Sequence, residues 1–209
     1  NYIFSTFGRA LSGEANLDQT NLFLLGIGSV GKSTLMNVLG CLDTPSGGEY
    51  FLNNIDVAKM QDNELAEIRN RQIGFVFQSF NLLPRSTALE NVALPLIYSG
   101  VNKAEREARA MEALKSVGLA DRVTHKPNEL SGGQRQRVAV ARALVTKPAC
   151  VMADEPTGNL DRSTADAVFD LMLQLASDQG TSVVMVTHDA SLAGRCDVRH
   201  QLINGRFDI

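Results

Sequence analysis

The stretch Gly26-Ile-Gly-Ser-Val-Gly31-Lys32-Ser33-Thr34 constrains this chain most, because it fits G-x-x-x-x-G-K-[ST] between an apolar run and a helical pattern. The run, Leu22-Phe-Leu-Leu25, reads as a buried strand, and residues 32–39 read as a helix. Glycines let the backbone curl so that successive N–H groups converge on phosphate oxygens, and the helix N-terminus adds its positive dipole end. Lys32 is placed to reach the β- and γ-phosphates and the Ser33 hydroxyl to ligate Mg²⁺. The expected nucleotide contacts are therefore Gly26, Gly28, Ser29, Gly31, Lys32, Ser33 and Thr34. A glycine-rich turn with a surface lysine is the plainer alternative, and the loop alone suits a kinase, a GTPase or a transport ATPase equally.

The remaining pattern alternates strands with helices. Strands are expected at 49–52, 73–77, 150–153 and 182–186, and helices at 62–69 with Asp62 as N-cap, 162–177 and briefly after Asp189. A closing hairpin turns at Asn204-Gly205. Thr87 before Glu90, Asn102 before Glu105 and Ser131 before Gln134 have capping-box spacing and open three further helices. On the second of these, Lys103, Glu105, Arg106, Glu107 and Arg109 read as a solvated face. Such alternation implies an α/β fold with a mainly parallel sheet flanked by helices, and ligand chemistry at the strand C-terminal ends.

With 209 residues, 44% of them apolar, the chain can bury the core of one fair-sized domain. A net charge of −3 lacks the basic excess of a sequence-independent nucleic-acid binder, so no nucleic-acid partner is expected. Apolar runs of a handful of residues fall far below the roughly 20 that span a bilayer. No basic-then-apolar leader is read at the front, and a start at Asn1 suggests that the natural N-terminus lies further upstream. Cys41, Cys150 and Cys196 follow no metal or disulfide spacing and read as structural residues of a reducing compartment.

Asp154 and Glu155 end an apolar strand. Asp154 can hold the Mg²⁺ hydration shell and Glu155 can take a proton from an attacking water, since strand alternation sends the two side chains opposite ways. A solvated acidic turn is the bland reading of the pair. His188 ends the next strand, where an imidazole can contact a γ-phosphate or orient the water; His125 and His200 lack such context and read as structural.

Leu130-Ser-Gly-Gly-Gln134, lying between a phosphate loop and a D-E strand, resembles the signature of ABC-type ATPases. Phe77-Gln78 resembles their Q-loop, Ala153-Asp-Glu-Pro-Thr-Gly-Asn-Leu-Asp161 their Walker B and D-loop, and Val186-Thr-His-Asp189 their switch histidine. The order of the motifs is the family's, and the match runs from about Leu22 to Arg206. Leu39-Gly-Cys-Leu-Asp43, Gly74-Phe-Val-Phe-Gln78, Leu89-Glu-Asn-Val-Ala-Leu-Pro95 and Gly158-Asn-Leu-Asp161 look most like the ATPases of lipoprotein-release and macrolide-export systems (LolD and MacB type).

The resemblance implies a single P-loop ATPase domain, with residues 1–78 and 136–209 as nucleotide-binding core and 79–135 as a helical subdomain. A short antiparallel β region is implied at the N-terminus. ATP and Mg²⁺ are the implied ligands, with Glu155, His188 and Gln78 catalytic and Ser33, Gln78 and Asp154 at the metal. Two subunits would face head to tail, so that Ser131, Gly132, Gly133 and Gln134 of one meet the γ-phosphate held by the other. Bare glycine backbone opening a helix suits an anion there. The implied setting is the cytoplasmic face of the inner membrane, where a homodimer powers permease subunits that export or extract lipoproteins, macrolides or similar amphiphiles. A regulatory or mechanotransmitting ABC subunit, whose membrane partner moves no substrate, is the alternative.

The chain departs from the family's G-P-S-G-S-G-K-S-T loop. Ser29 replaces an inner glycine, which disfavours left-handed backbone, and branched Val30 stiffens the loop; both bear on ATP affinity. Asp18-Gln-Thr-Asn21 stands where the family has Gly-Glu, and Phe7 is the candidate for the adenine-stacking ring, with Tyr2 and Phe4 as rivals.

Overall fold

The computed structural model describes residues 22–26, 32–52, 55–203 and 206–208. Its main sheet has six strands in the order Ile73–Phe77 (β4), Cys150–Asp154 (β5), Ser182–Thr187 (β6), Leu22–Gly26 (β1), Val198–Ile203 (β7) and Arg206–Asp208 (β8). From β4 through β7 the pairing is parallel, and β8 returns antiparallel on β7. Phe51–Leu52 (β2) and Ile55–Asp56 (β3) form a separate antiparallel pair. The helices are α1 (Lys32–Leu39), α2 (Asp62–Gln72), α3 (Ala88–Tyr98), α4 (Lys103–Ser116), α5 (Gly132–Leu144), α6 (Arg162–Asp178) and the one-turn α7 (Ala190–Ala193).

The apolar runs of β5 and β6 require cover on both faces, and strand alternation sorts their side chains between two cores. Cys150, Met152, Val184 and Val186 meet Met36 and Leu39 of α1 and Leu65 of α2. Val151, Ala153, Val183 and Met185 meet Val140, Ala143 and Leu144 of α5 and Val168, Phe169 and Met172 of α6. A third core joins α3 (Ala88, Val92, Leu96), α4 (Ala110, Leu114) and the far face of α5 (Val138, Ala141). Helix α5 thus belongs to two cores at once, and each large side chain so buried stabilises by about 1.5–3 kcal/mol.

Where α5 lies on β4 there is no room for a side chain. A Cβ on Gly74 would sit 2.2 Å from the Ala143 carbonyl oxygen, a backbone atom. Gly74→Ala is therefore expected to lower unfolding free energy by about 1–3 kcal/mol through overpacking, read from the urea midpoint. An unchanged midpoint would mean that α5 lifts off β4 at no cost.

Several expectations are adjusted. The N-cap of α2 is Gln61, not Asp62, because Glu64 Oε2 accepts the Gln61 N–H at 2.9 Å and the box closes one residue earlier; the helix also runs on to Gln72. The boxes at Thr87 and Ser131 form as spaced, and Asn102 caps α4 through Glu105 N–H. Arg109 is not simply solvated: its Nη2 donates to the Val145 carbonyl at 3.0 Å and ties α4 to the end of α5. Residues 1–21, with the Asp18–Asn21 departure, and the turn at Asn204-Gly205 lie outside the described residues. All three thiols are free, and burial pushes Cys41 up to about 11 and Cys150 and Cys196 up to about 12, as expected of packing residues.

Candidate active site

Parallel pairing brings the C-terminal ends of β1, β4, β5 and β6 to one edge of the sheet. The register aligns Phe77 with Asp154, Asp154 with Val186 and Leu25 with Thr187, so the residues that follow share that edge. Gln78, Glu155 and His188 each come directly after a strand, and Gly26 closes β1. Lys32, Ser33 and Thr34 form the first turn of α1, while Gly28, Ser29, Gly31 and Phe7 lie outside the described residues.

Glu155 leaves the sheet by a device that strand alternation did not anticipate. Its φ is +46°, in the left-handed region, while its N–H still donates to the Val186 carbonyl at 2.9 Å. The two acids are thus separated by a backbone turn rather than by alternation. A left-handed non-glycine residue costs about 1–2 kcal/mol, and such strain collects at functional sites. The turn sets Glu155 Oε2 2.7 Å from His188 Nδ1, with the Glu155 side chain 18% exposed and His188 70% exposed. A largely shielded carboxylate is held by an imidazole that reaches into solvent, an arrangement suited to taking a proton from a bound water.

Gln78 is tied to the Gly158–Asp161 segment. Asn159 Nδ2 donates to the Gln78 carbonyl at 2.9 Å, and Gln78 Nε2 lies 3.4 Å from Asn159 Oδ1. A Cβ on Gly158 would come within 2.7 Å of Gln78 Nε2, so the glycine permits the approach. The fully buried Gln136, from α5, donates to the Pro156 carbonyl at 2.5 Å and lies 3.5 Å from that of Phe77, which joins three segments at one side chain.

Beyond Gln78 the chain makes two consecutive left-handed residues, Phe80 (φ +62°) and Asn81 (φ +48°). Arg142 of α5 holds both carbonyls, at 3.0 and 2.5 Å, and the Arg135 guanidinium lies 4.9 Å from the Phe80 ring centroid. Burial lowers the pKa of Arg142. Asn91, fully buried on α3, accepts from Leu83 N–H at 2.7 Å and donates to the Leu83, Ser86 and Thr87 carbonyls, fixing the loop's exit. Gln136, Arg142, Asn91 and Asn159 were not singled out from sequence. Asn159 lies inside the Gly158-Asn-Leu-Asp161 motif, and Asn91 left a signal as a lone amide beside Val92 and Leu96 on the apolar face of α3.

Ser131 opens α5 at a second place. Its Oγ accepts Gln134 N–H at 3.2 Å, its own N–H donates to Gln134 Oε1 at 2.8 Å, and the serine is exposed. Gly133 lies so close to α6 that a Cβ would meet Thr164 Cγ2 at 2.5 Å. Ser131, Gly133, Gln134, Ser163 and Thr164 line an open groove of about 690 Å³. Asp161 caps α6, and hydrogen bonds from Thr164, side chain first, hold its carboxyl below the usual range. His125, expected to be structural, sits away from these groups with Nε2 3.2 Å from Arg122 Nη1 and its carbonyl accepting Ala88 N–H.

A parallel sheet with a phosphate-loop sequence after β1 and an acidic pair after β5 defines a P-loop nucleoside triphosphatase. A profile of the ABC transporter family matches residues 12–158, and the chain belongs to that family, as one of its ATP-binding, ATP-hydrolysing cassettes. It is 54% identical over 176 residues to the uncharacterized ABC transporter ATP-binding protein YvrO of Bacillus subtilis, covering 84% of this chain and 76% of that one. To the lipoprotein-releasing system ATP-binding protein LolD of Xanthomonas campestris it is 52% identical over 184 residues, 88% of this chain and 77% of that one. Among solved structures, the dimeric post-hydrolysis state of the ATP-binding cassette MJ0796 bound to ADP and Pi superposes with a TM-score of 0.83 at 43% identity. That match covers 92% of this chain and 84% of that chain.

Proposed function

We propose that this cassette works as a head-to-tail homodimer on the cytoplasmic face of the inner membrane and drives permease subunits that export or extract lipoproteins or similar amphiphiles. The observation that carries the catalytic part is the 2.7 Å contact between Glu155 and His188 at the sheet edge that follows the phosphate loop. The likeness to LolD supports the substrate class, and the dimeric MJ0796 cassette supports the pairing. No helix among the described residues is long and apolar enough to cross a membrane. In this reading the permease subunits hold the cassette at the membrane.

In this reading Glu155 takes the proton as a water oxygen bonds to the γ-phosphorus and the bond to the β-phosphate oxygen breaks, leaving ADP and phosphate. His188 orients Glu155 and the water, and Gln78 positions the water from the neighbouring end of β4, on the other side of β5 from His188. Lys32, together with the Ser131 hydroxyl and the Gly133 N–H of the partner subunit, stabilises the charge on the transferring phosphoryl group. Ser33, Gln78 and Asp154 offer only oxygen donors, and the Phe77 to Asp154 register puts the last two at neighbouring strand ends, which fits Mg²⁺. When bound there, Mg²⁺ neutralises phosphate charge. Residues 1–78 and 136–209 form the nucleotide-binding core and 79–135 the helical subdomain; the third core, built by α3 and α4 on the far face of the shared helix α5, supports a helical unit there.

Light scattering of the Glu155→Gln variant tests the dimer. MgATP is expected to double its mass. If the mass stays monomeric while ATP titration shows a filled site, the head-to-tail reading fails for the isolated cassette.

A further inference from the structure

We propose that Arg162 is a positioning residue for the His188 turn, an inference that rests on the reading of Glu155 and His188 as the hydrolytic pair. Arg162 is the first residue of α6, directly after Asp161, and its side chain, although 61% exposed, is tied to Asp189 and Ser191 at the start of α7. Nη1 donates to Asp189 Oδ2 at 3.1 Å, Nη2 to Ser191 Oγ at 2.6 Å and Nε to Asp166 Oδ2 at 3.3 Å. All three guanidinium nitrogens are engaged, two of them by the residues that follow His188.

Asp189 is the hinge of this arrangement. Its Oδ1 accepts the Ser191 and Leu192 N–H groups at 2.8 and 3.3 Å, which caps α7, and its own N–H donates to Thr187 Oγ1 at 3.0 Å. Thr187 is 2% exposed at the end of β6. His188 is thus suspended between a buried strand end and a carboxylate gripped by Arg162. Neither flanking contact touches the imidazole, so the ring's aim at Glu155 is inherited from where Asp189 stands.

The grip continues along α6. Arg195, just past α7, lies 3.7 Å from Asp166 Oδ1, pairs with Asp170 and places its guanidinium 4.7 Å from the Phe169 ring centroid. Asp189, Arg162, Asp166, Arg195 and Asp170 therefore form a ladder of alternating charge that zips α7 to α6. Exposed ion pairs add little to global stability. Their effect here is orientational, because a planar guanidinium with three acceptors fixes direction as a lysine ammonium cannot. The same helix end follows Asn159, which holds Gln78, so the ladder also sets the His188 turn against the Gln78 segment.

The test compares Arg162→Met, Arg162→Lys and His188→Ala in steady-state ATP hydrolysis, thermal unfolding and the ¹H–¹³C spectrum of the ring Cε1–H groups. The chain has three histidines, and the His188 signal is the one missing from His188→Ala. Arg162→Met is expected to move that signal and leave those of His125 and His200 in place. It is also expected to lower kcat roughly tenfold with KM for ATP within about twofold and Tm nearly unchanged, as a small misplacement of a reacting group does. Arg162→Lys should recover only part of kcat. An unmoved His188 signal overturns the proposal whatever the rate, and so does a loss of kcat that disappears on cooling along with a large fall in Tm. A moved signal with wild-type kcat, together with a fully active His188→Ala, keeps the clamp and overturns the hydrolytic reading of His188 instead.

Discussion

Glu155→Gln is expected to lower steady-state ATP hydrolysis by roughly a thousandfold while ATP binding is retained. The substitution is close to isosteric, and a Gln adopts the φ of +46° at this position no less readily than Glu. Its amide can still meet His188 Nδ1, which lies 2.7 Å from the Glu155 carboxylate, so the turn and its backbone bond to Val186 stay in place. What is lost is the proton acceptor alone. Phosphate release and nucleotide titration on the same preparation separate the two quantities. Hydrolysis near the wild-type rate would remove Glu155 as the general base, and loss of ATP binding would show that its role is structural.

The second large effect is expected at Ser131, which the fold places on α5, away from the Glu155 and His188 contact. Ser131→Arg should abolish hydrolysis but leave nucleotide binding to the same chain intact, because the defect acts on the site of the facing subunit. Losing the Ser131 cap of Gln134 N–H costs about 1 kcal/mol, a modest fall in Tm rather than unfolding. The sharper measurement mixes Ser131→Arg with Glu155→Gln, each inactive alone. A head-to-tail mixed dimer combines the intact Glu155 of the first with the intact Ser131 of the second, so one complete site returns and hydrolysis reappears. No recovery from a mixture that dimerises with MgATP would mean that each chain supplies its own Ser131, and the head-to-tail arrangement would fall.

Much of the candidate site was legible in sequence because the chemistry it implies is local. Phosphate binding needs glycines and a lysine at fixed spacing, capping boxes need a hydroxyl or amide three residues before an acid or amide, and strands covered on both faces need unbroken apolar runs. Each requirement is written within about ten residues, so Gly26 to Thr34, Ser131 to Gln134 and Cys150 to Glu155 stand out in the sequence as candidates. The family was legible for the same reason, since its motifs are short and ordered.

What holds those motifs to one another was not. Gln136 reaches Pro156, Arg142 reaches Phe80 and Asn81, Asn159 reaches Gln78, and Arg162 reaches Asp189 and Ser191 across 20 to 81 positions of chain. A polar residue on a helix carries no mark of whether it faces solvent or a distant carbonyl; only packing decides that. The left-handed turn at Glu155 belongs to the same class, because its cost is borne by contacts from β6 and His188 that no local pattern predicts. The sequence by itself determined the family and which groups are candidates to bind phosphate and take a proton, whereas the tertiary structure decided where the described ones stand, because that depends on contacts between residues far apart in the chain.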